Sequence, residues 1–77
     1  MGRKSKYLAG RSKKIVDFVN EFRETHEYGP SLQEIGEHIG VASTSLLIYY
    51  INRLTAEGYI IRDPKVSRSI RVLKPFE

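Results

Sequence analysis

Residues 29–58 read GPSLQEIGEHIGVASTSLLIYYINRLTAEG, and this stretch decides the fold. Gly29-Pro30 breaks the chain. Ser31 and Glu34 stand at capping-box spacing, in which each side chain satisfies one orphan amide at a helix start. Leu32, Ile35 and Ile39 then recur on one helical face. Gly40 ends that helix, because glycine enters the left-handed region without steric cost. Ser43 caps a further helix that runs to Glu57, where Gly58 stops it. Two helices this close in sequence bury their apolar faces by crossing over a third element. That geometry turns the start of the second helix outward, and a DNA major groove admits an α-helix.

Working outward, Ser12 is the expected N-cap of a first helix over about Lys13 to His26. Ile15, Val19 and Phe22 form its stripe, Phe18 widens it, and Asp17, Glu21 and Glu24 fall on the wet side. Beyond Gly58 the period changes. Tyr59 to Arg62 and Ser69 to Leu73 are strand-like, with Ile70 and Val72 on one face and Arg71 on the other. Asp63-Pro64-Lys65 between them is turn chemistry. The expected fold is α+β, mainly α: a three-helix winged helix-turn-helix with a C-terminal β-hairpin wing. It should occupy residues 12–74, after a flexible basic arm over 1–11 and before a short tail over 75–77, with Pro75 ending the fold.

Seventy-seven residues make one small domain. There is no cysteine, so neither a disulfide nor a thiolate metal site can staple it. No apolar run has the length of a signal peptide or membrane span. The net charge of +4 is unevenly spread. Residues 1–14 carry six bases and no acid, residues 15–61 a net −5, and residues 62–77 a net +3. Basic ends around an acidic middle form the electrostatic footprint of phosphate binding, although a charged solubilising surface has the same composition.

Six apolar or aromatic residues in a row, Leu46 to Ile51, cannot share one side of a helix. The stripe Leu47, Tyr50, Ile51, Leu54 is the better core face. It leaves Thr44, Ser45, Ile48, Tyr49 and Asn52 facing out, with Leu46 at the boundary. Guanine- and adenine-reading side chains are scarce there, restricted to Asn52 and Arg53 late in the helix. Leu46, Ile48 and Tyr49 suit thymine methyl groups. The same apolar cluster also fits a protein-binding patch. In the wing, Lys65, Ser67, Arg68 and Arg71 gather near the turn, placed for a phosphate or a minor groove, or as a charged edge that resists aggregation. Lys13 and Lys14, with Arg11, sit where the helix dipole disfavours cations, which suggests an outside anion.

No catalytic constellation emerges. His26 and His38 lie among acids as surface residues. With Glu34 or Glu37 they make only a poor zinc set. Gly36 and Gly40 form no phosphate-binding loop. Neither an enzyme nor a cofactor is expected.

From Leu8 to Leu73 the chain resembles the N-terminal DNA-binding domain of the LexA repressor family. The similarity runs through the Pro-Ser-x-x-Glu-Ile start of the second helix, the Ile-Gly-Val-x-Ser turn, Leu54, Gly58 and Ile60, and Ser67-Arg68-Ser69-Ile70-Arg71 of the wing. The resemblance implies a winged-helix repressor of bacterial, phage or plasmid type that binds operator DNA as a two-fold pair. The family's DNA-reading positions fall on Ser43, Ser45, Leu46, Ile48 and Tyr49. Only Ser43 keeps the family's residue type, so the operator is not inherited. Such repressors carry a C-terminal self-cleaving, dimerising domain, and the sequence ending at Glu77 is expected to lack that cleavage switch.

The expected function is therefore a small cytoplasmic, nucleoid-associated transcriptional regulator. Thr44, Ser45, Ile48, Tyr49 and Asn52 face base edges. Lys65, Arg68 and Arg71 anchor the wing, and Lys13 and Lys14 meet the backbone. Double-stranded DNA is the expected partner. One module buries a small interface, which favours a homodimer on a palindrome, joined through Tyr7, Leu8 or Phe76. The rival is a protein-interaction module using the Ile48/Tyr49 face.

Overall fold

The computed structural model describes residues 6–76, with side chains from residue 10 onward. Three helices, α1 (Lys6–Thr25), α2 (Leu32–Ile39) and α3 (Thr44–Ala56), precede two short strands, β1 (Ile60–Ile61) and β2 (Arg71–Val72). The strands pair antiparallel, Ile60 opposite Val72 and Ile61 opposite Arg71. This is the winged helix-turn-helix. α1 packs on α2 and β2, while α3 packs on α2 and β1.

The local signals around the turn act as their chemistry dictates. Ser31 Oγ accepts the Glu34 N–H at 3.1 Å, and Glu34 Oε1 accepts the Ser31 N–H at 2.8 Å, closing the capping box. Gly40 adopts φ 76°, ψ 31°, a left-handed cap in which the Gly36 carbonyl accepts the Gly40 and Val41 amides. Ser43 Oγ accepts the Leu46 N–H at 3.2 Å to start α3.

Ile15, Val16 and Val19 of α1 meet Ile35 and Ile39 of α2 in the core. Leu47, Tyr50, Ile51 and Leu54 of α3, with Ile60 and Ile70 of the wing, complete it. The register chosen for α3 is the one observed. In α1 the buried stripe includes Val16, while Phe18 and Phe22 are only half-buried.

Three expectations need correction. First, α1 begins at Lys6 rather than Lys13, so residues 6–11 of the anticipated arm are helical; residues 1–5 lie outside the described residues. Ser12 is not an N-cap but a buried side chain inside α1. Gly10 lies inside α1, where a glycine costs only about 1 kcal/mol. A tertiary contact offsets that: Arg11 Nη1 donates to the Tyr50 hydroxyl at 3.2 Å, bracing α1 on α3. Second, the strands have two residues each, not four and five. The wing spends its backbone elsewhere. The Ile70 carbonyl accepts from Arg23 Nε at 2.8 Å, and the Arg68 carbonyl accepts the Gly29 N–H at 3.0 Å. Third, Phe76 does not stand clear of the core as a tail residue. It is half-buried against the core, its ring 4.8 Å from that of Tyr59. The Tyr7 and Leu8 side chains lie outside the described residues.

Gly29 is where the wing meets the helices. A Cβ there would stand 2.3 Å from the Ile70 carbonyl oxygen, a backbone atom that cannot step aside. Gly29→Ala is expected to destabilise by about 1–3 kcal/mol. At Gly10 a Cβ would meet nothing within 4 Å. Gly10→Ala is expected to stabilise by about 0.5–1 kcal/mol. Thermal melts of the two variants should therefore shift in opposite directions, by roughly 4–8 °C per kcal/mol.

Candidate nucleic-acid interface

Most residues in the first half of α3 are exposed. Thr44, Ser45, Tyr49 and Asn52 are exposed, as is Leu46, while Ile48 is half-buried. Ser43 and Thr44 border a depression shared with Leu32, Gln33, Gly36 and Glu37 of α2. Both helices therefore open onto one surface. The Ser43 hydroxyl is already engaged in the cap, so it offers a groove only its free valence. Arg53 makes two exposed contacts along its own helix. Its Nη1 donates to the Tyr49 hydroxyl at 3.1 Å and its Nη2 to Glu57 Oε2 at 3.2 Å. The Tyr49 hydroxyl and Glu57 raise the Arg53 pKa, holding the guanidinium charged. Tyr49 is thus steadied by its own helix.

The basic residues of the wing border two depressions that share Arg62 and Ser69. Lys65 and Arg68 border a depression with Pro30, Ser31 and Leu32 at the start of α2. Arg71 borders a second depression with Arg23 of α1, Arg62 and Ser69. Lys65 and Arg71 are exposed. The wing turn is built as its sequence suggests: Asp63 Oδ1 accepts the Lys65 N–H at 2.9 Å, and Ser69 Oγ bridges the Asp63 amide and carbonyl. Lys13 pairs with Asp17 at 2.9 Å in an exposed i,i+4 bridge, an interaction worth only about 0.3–0.5 kcal/mol and easily traded for a phosphate. Lys14 is exposed on the same helix.

Arg68 has a second task. Its two Nη groups grip both Glu34 oxygens at 2.9 and 3.3 Å, and its guanidinium lies 5.2 Å from the centroid of the Tyr28 ring. Its φ of 60° is unusual for a side chain with a Cβ. Arg68 therefore ties the wing to the capping box of α2.

A family model described as the LexA DNA binding domain matches residues 5–69. The chain belongs to the LexA DNA-binding domain family. The LexA repressor of Roseiflexus sp. (strain RS-1) is 39% identical over 70 residues, covering 91% of this chain and 32% of its own length. The LexA repressor of Geobacillus sp. (strain WCH70) is 42% identical over 66 residues, covering 86% of this chain and 32% of its own length. That of Arthrobacter sp. (strain FB24) is 39% identical over 73 residues, covering 95% and 29%. The chain thus spans about a third of the length of the curated relatives it matches.

Seen in this LexA-type domain, two residues join the candidate surface that sequence reading passed over. Gln33 borders the α2–α3 depression, and Arg62 borders both depressions of the wing. Gln33 sits one residue past the first apolar position of α2, a solvent-facing place that the apolar spacing alone marks. Arg62 was masked by its place in an expected strand. His38 and His26 stack on Phe18 and Phe22 at 4.2 and 3.9 Å, away from this surface. Among the described residues, no group of three His, Asp or Glu side chains could hold a metal ion, and no helix is long and apolar enough to cross a membrane.

The Glu34 carboxyl is held below its ordinary value of 4.5, first by the Ser31 amide and then by Arg68. A carboxyl depressed on folding stabilises the fold above its unfolded pKa, and that contribution is lost as pH falls through the folded value. Glu34→Gln should melt lower than the parent at neutral pH. The gap should close as pH drops below 4.5, as measured by thermal melts across pH 3–7.

Proposed function

We propose that this chain is the operator-reading part of a transcriptional repressor and binds double-stranded DNA sequence-specifically. The observation that carries the reading is the N-terminal half of α3. It is capped by Ser43 and turns Leu47 into the core, which leaves Thr44, Ser45, Leu46 and Tyr49 exposed. Family membership and the LexA repressors among its relatives support the same assignment.

In the proposed mode, Ser43, Thr44, Ser45, Ile48, Tyr49 and Asn52 address base edges. Lys65 and Arg71 meet phosphates from the wing, and Lys13 and Lys14 meet the backbone from α1. Arg68 positions the wing and offers the DNA what its pairing with Glu34 leaves. The action is binding rather than catalysis, at the bacterial nucleoid in the cytoplasm. One module buries roughly 600–1,000 Å² on DNA, so two copies on a two-fold site are the effective form.

Selection from a random duplex pool at ~150 mM salt tests this, because purely electrostatic binding is weakened there. Enrichment of a motif, palindromic if two copies cooperate, is the expected outcome. A pool that enriches nothing would sink the assignment. Lys65→Ala should weaken binding about equally on selected and unselected duplexes. It should also lower the magnitude of the log K against log salt slope by about one phosphate contact.

A further inference from the structure

Major-groove reading is commonly done by bidentate side chains, Arg on guanine and Asn or Gln on adenine. α3 has few to spare. Arg53 is held by Tyr49 and Glu57, and the Ser43 hydroxyl accepts the Leu46 amide. Beside the exposed Thr44, Ser45 and Asn52, the helix presents apolar surface. Leu46 is 36% exposed and Tyr49 47%, with Ile48 half-buried beside them. These are not overflow from the core, since Leu47, Tyr50, Ile51 and Leu54 fill it at 0–4% exposure.

Geometry makes the apolar pair a usable reader. Leu46 and Tyr49 are i,i+3 neighbours on one face, separated by roughly 4.5 Å along the axis. That is close to the spacing of successive base pairs, roughly 3.4 Å. The Tyr49 ring is steadied on both sides, by Arg53 on its hydroxyl and by the Tyr50 ring edge-on at 5.9 Å. Of the groups exposed in a major groove, only the thymine C5 methyl is apolar. Asn52, a further i+3 step along, has no side-chain hydrogen bond among the described residues and carries an amide that suits adenine.

Resting on the DNA-binding reading above, we infer that the domain selects its site through thymine methyl groups, with Leu46 and Tyr49 as the specificity-determining contacts. Discrimination then depends on the C5 methyl itself. Uracil, which pairs like thymine but lacks that methyl, is rejected. A 5-methylcytosine at the same step is a partial mimic.

The test runs two random duplex pools in parallel, one built with thymine and one with uracil, at ~150 mM salt. The thymine pool should converge on a thymine-containing motif. The same duplex resynthesised with uracil should bind about four-fold more weakly per contacted methyl, the equivalent of one buried methylene. Putting cytosine at such a position should weaken binding, and 5-methylcytosine should recover part of the loss. In Leu46→Ala, an exposed position whose folding is checked by melting, the thymine-to-uracil ratio should fall toward one at one step. Equal affinity for the two duplexes would overturn methyl reading while leaving sequence-specific binding intact. Failure of both pools to enrich any motif would remove the DNA reading itself and mark Leu46 and Tyr49 as a protein-docking face.

Discussion

Leu47, Tyr50, Ile51 and Leu54 pack one stripe of α3 into the core, and none is more than 4% exposed. Burying each such side chain contributes about 1.5–3 kcal/mol. Rotating α3 by one residue, roughly 100° of a 3.6-residue turn, would expel several of them together. No interaction on the solvent side approaches that cost. The orientation of Thr44, Ser45, Leu46, Tyr49 and Asn52 is therefore a by-product of burial. The candidate reading face is set by the residues behind it.

A second junction positions the wing. The Glu34 carboxylate accepts the Ser31 amide, which starts α2, and both arms of Arg68, which root the wing. The ion pair is exposed, and solvent screening keeps such pairs weak. Its importance is geometric. Arg68 sits at φ 60° with its carbonyl bound by Gly29 N–H and its guanidinium on Glu34 and Tyr28. Tethers at both ends hold a backbone conformation that a β-carbon disfavours. The wing is thus referenced to α1 and α2 as much as to the sheet.

Much of this was legible in the sequence. Signals that act within four residues were read correctly: the Ser31/Glu34 box, the Gly40 cap, the Ser43 cap and the Asp63 turn. So was the α3 core register, because only one stripe was uniformly apolar. What failed needed partners far along the chain. Arg11 extends α1 by reaching Tyr50, thirty-nine positions away. The strands shorten because Arg23 and Gly29 take carbonyls that a longer ladder would have used. Phe76 leaves the expected tail because Tyr59 offers it a ring. At the candidate interface the sequence marks Thr44, Ser45, Tyr49 and Asn52 as exposed, but Ile48, expected outside, is half-buried, and Leu46, expected at the boundary, is exposed. The contacts of Arg53 with Tyr49 and Glu57, and of Arg68 with Glu34, are not legible there.

The construction of the wing also separates reach from stability. Its base is clamped, by Ser69 against Asp63 and by the Ile70 and Arg68 carbonyls against Arg23 and Gly29. Its tip, residues 64–67, is wholly exposed. Loop-closure entropy grows only slowly with length. Residues could therefore be gained or lost at the tip with little strain on the core, altering how far the basic end extends over a neighbouring helical polyanion. The fold offers an adjustable span on a fixed mount, so related proteins can diverge in footprint without redesigning their interior.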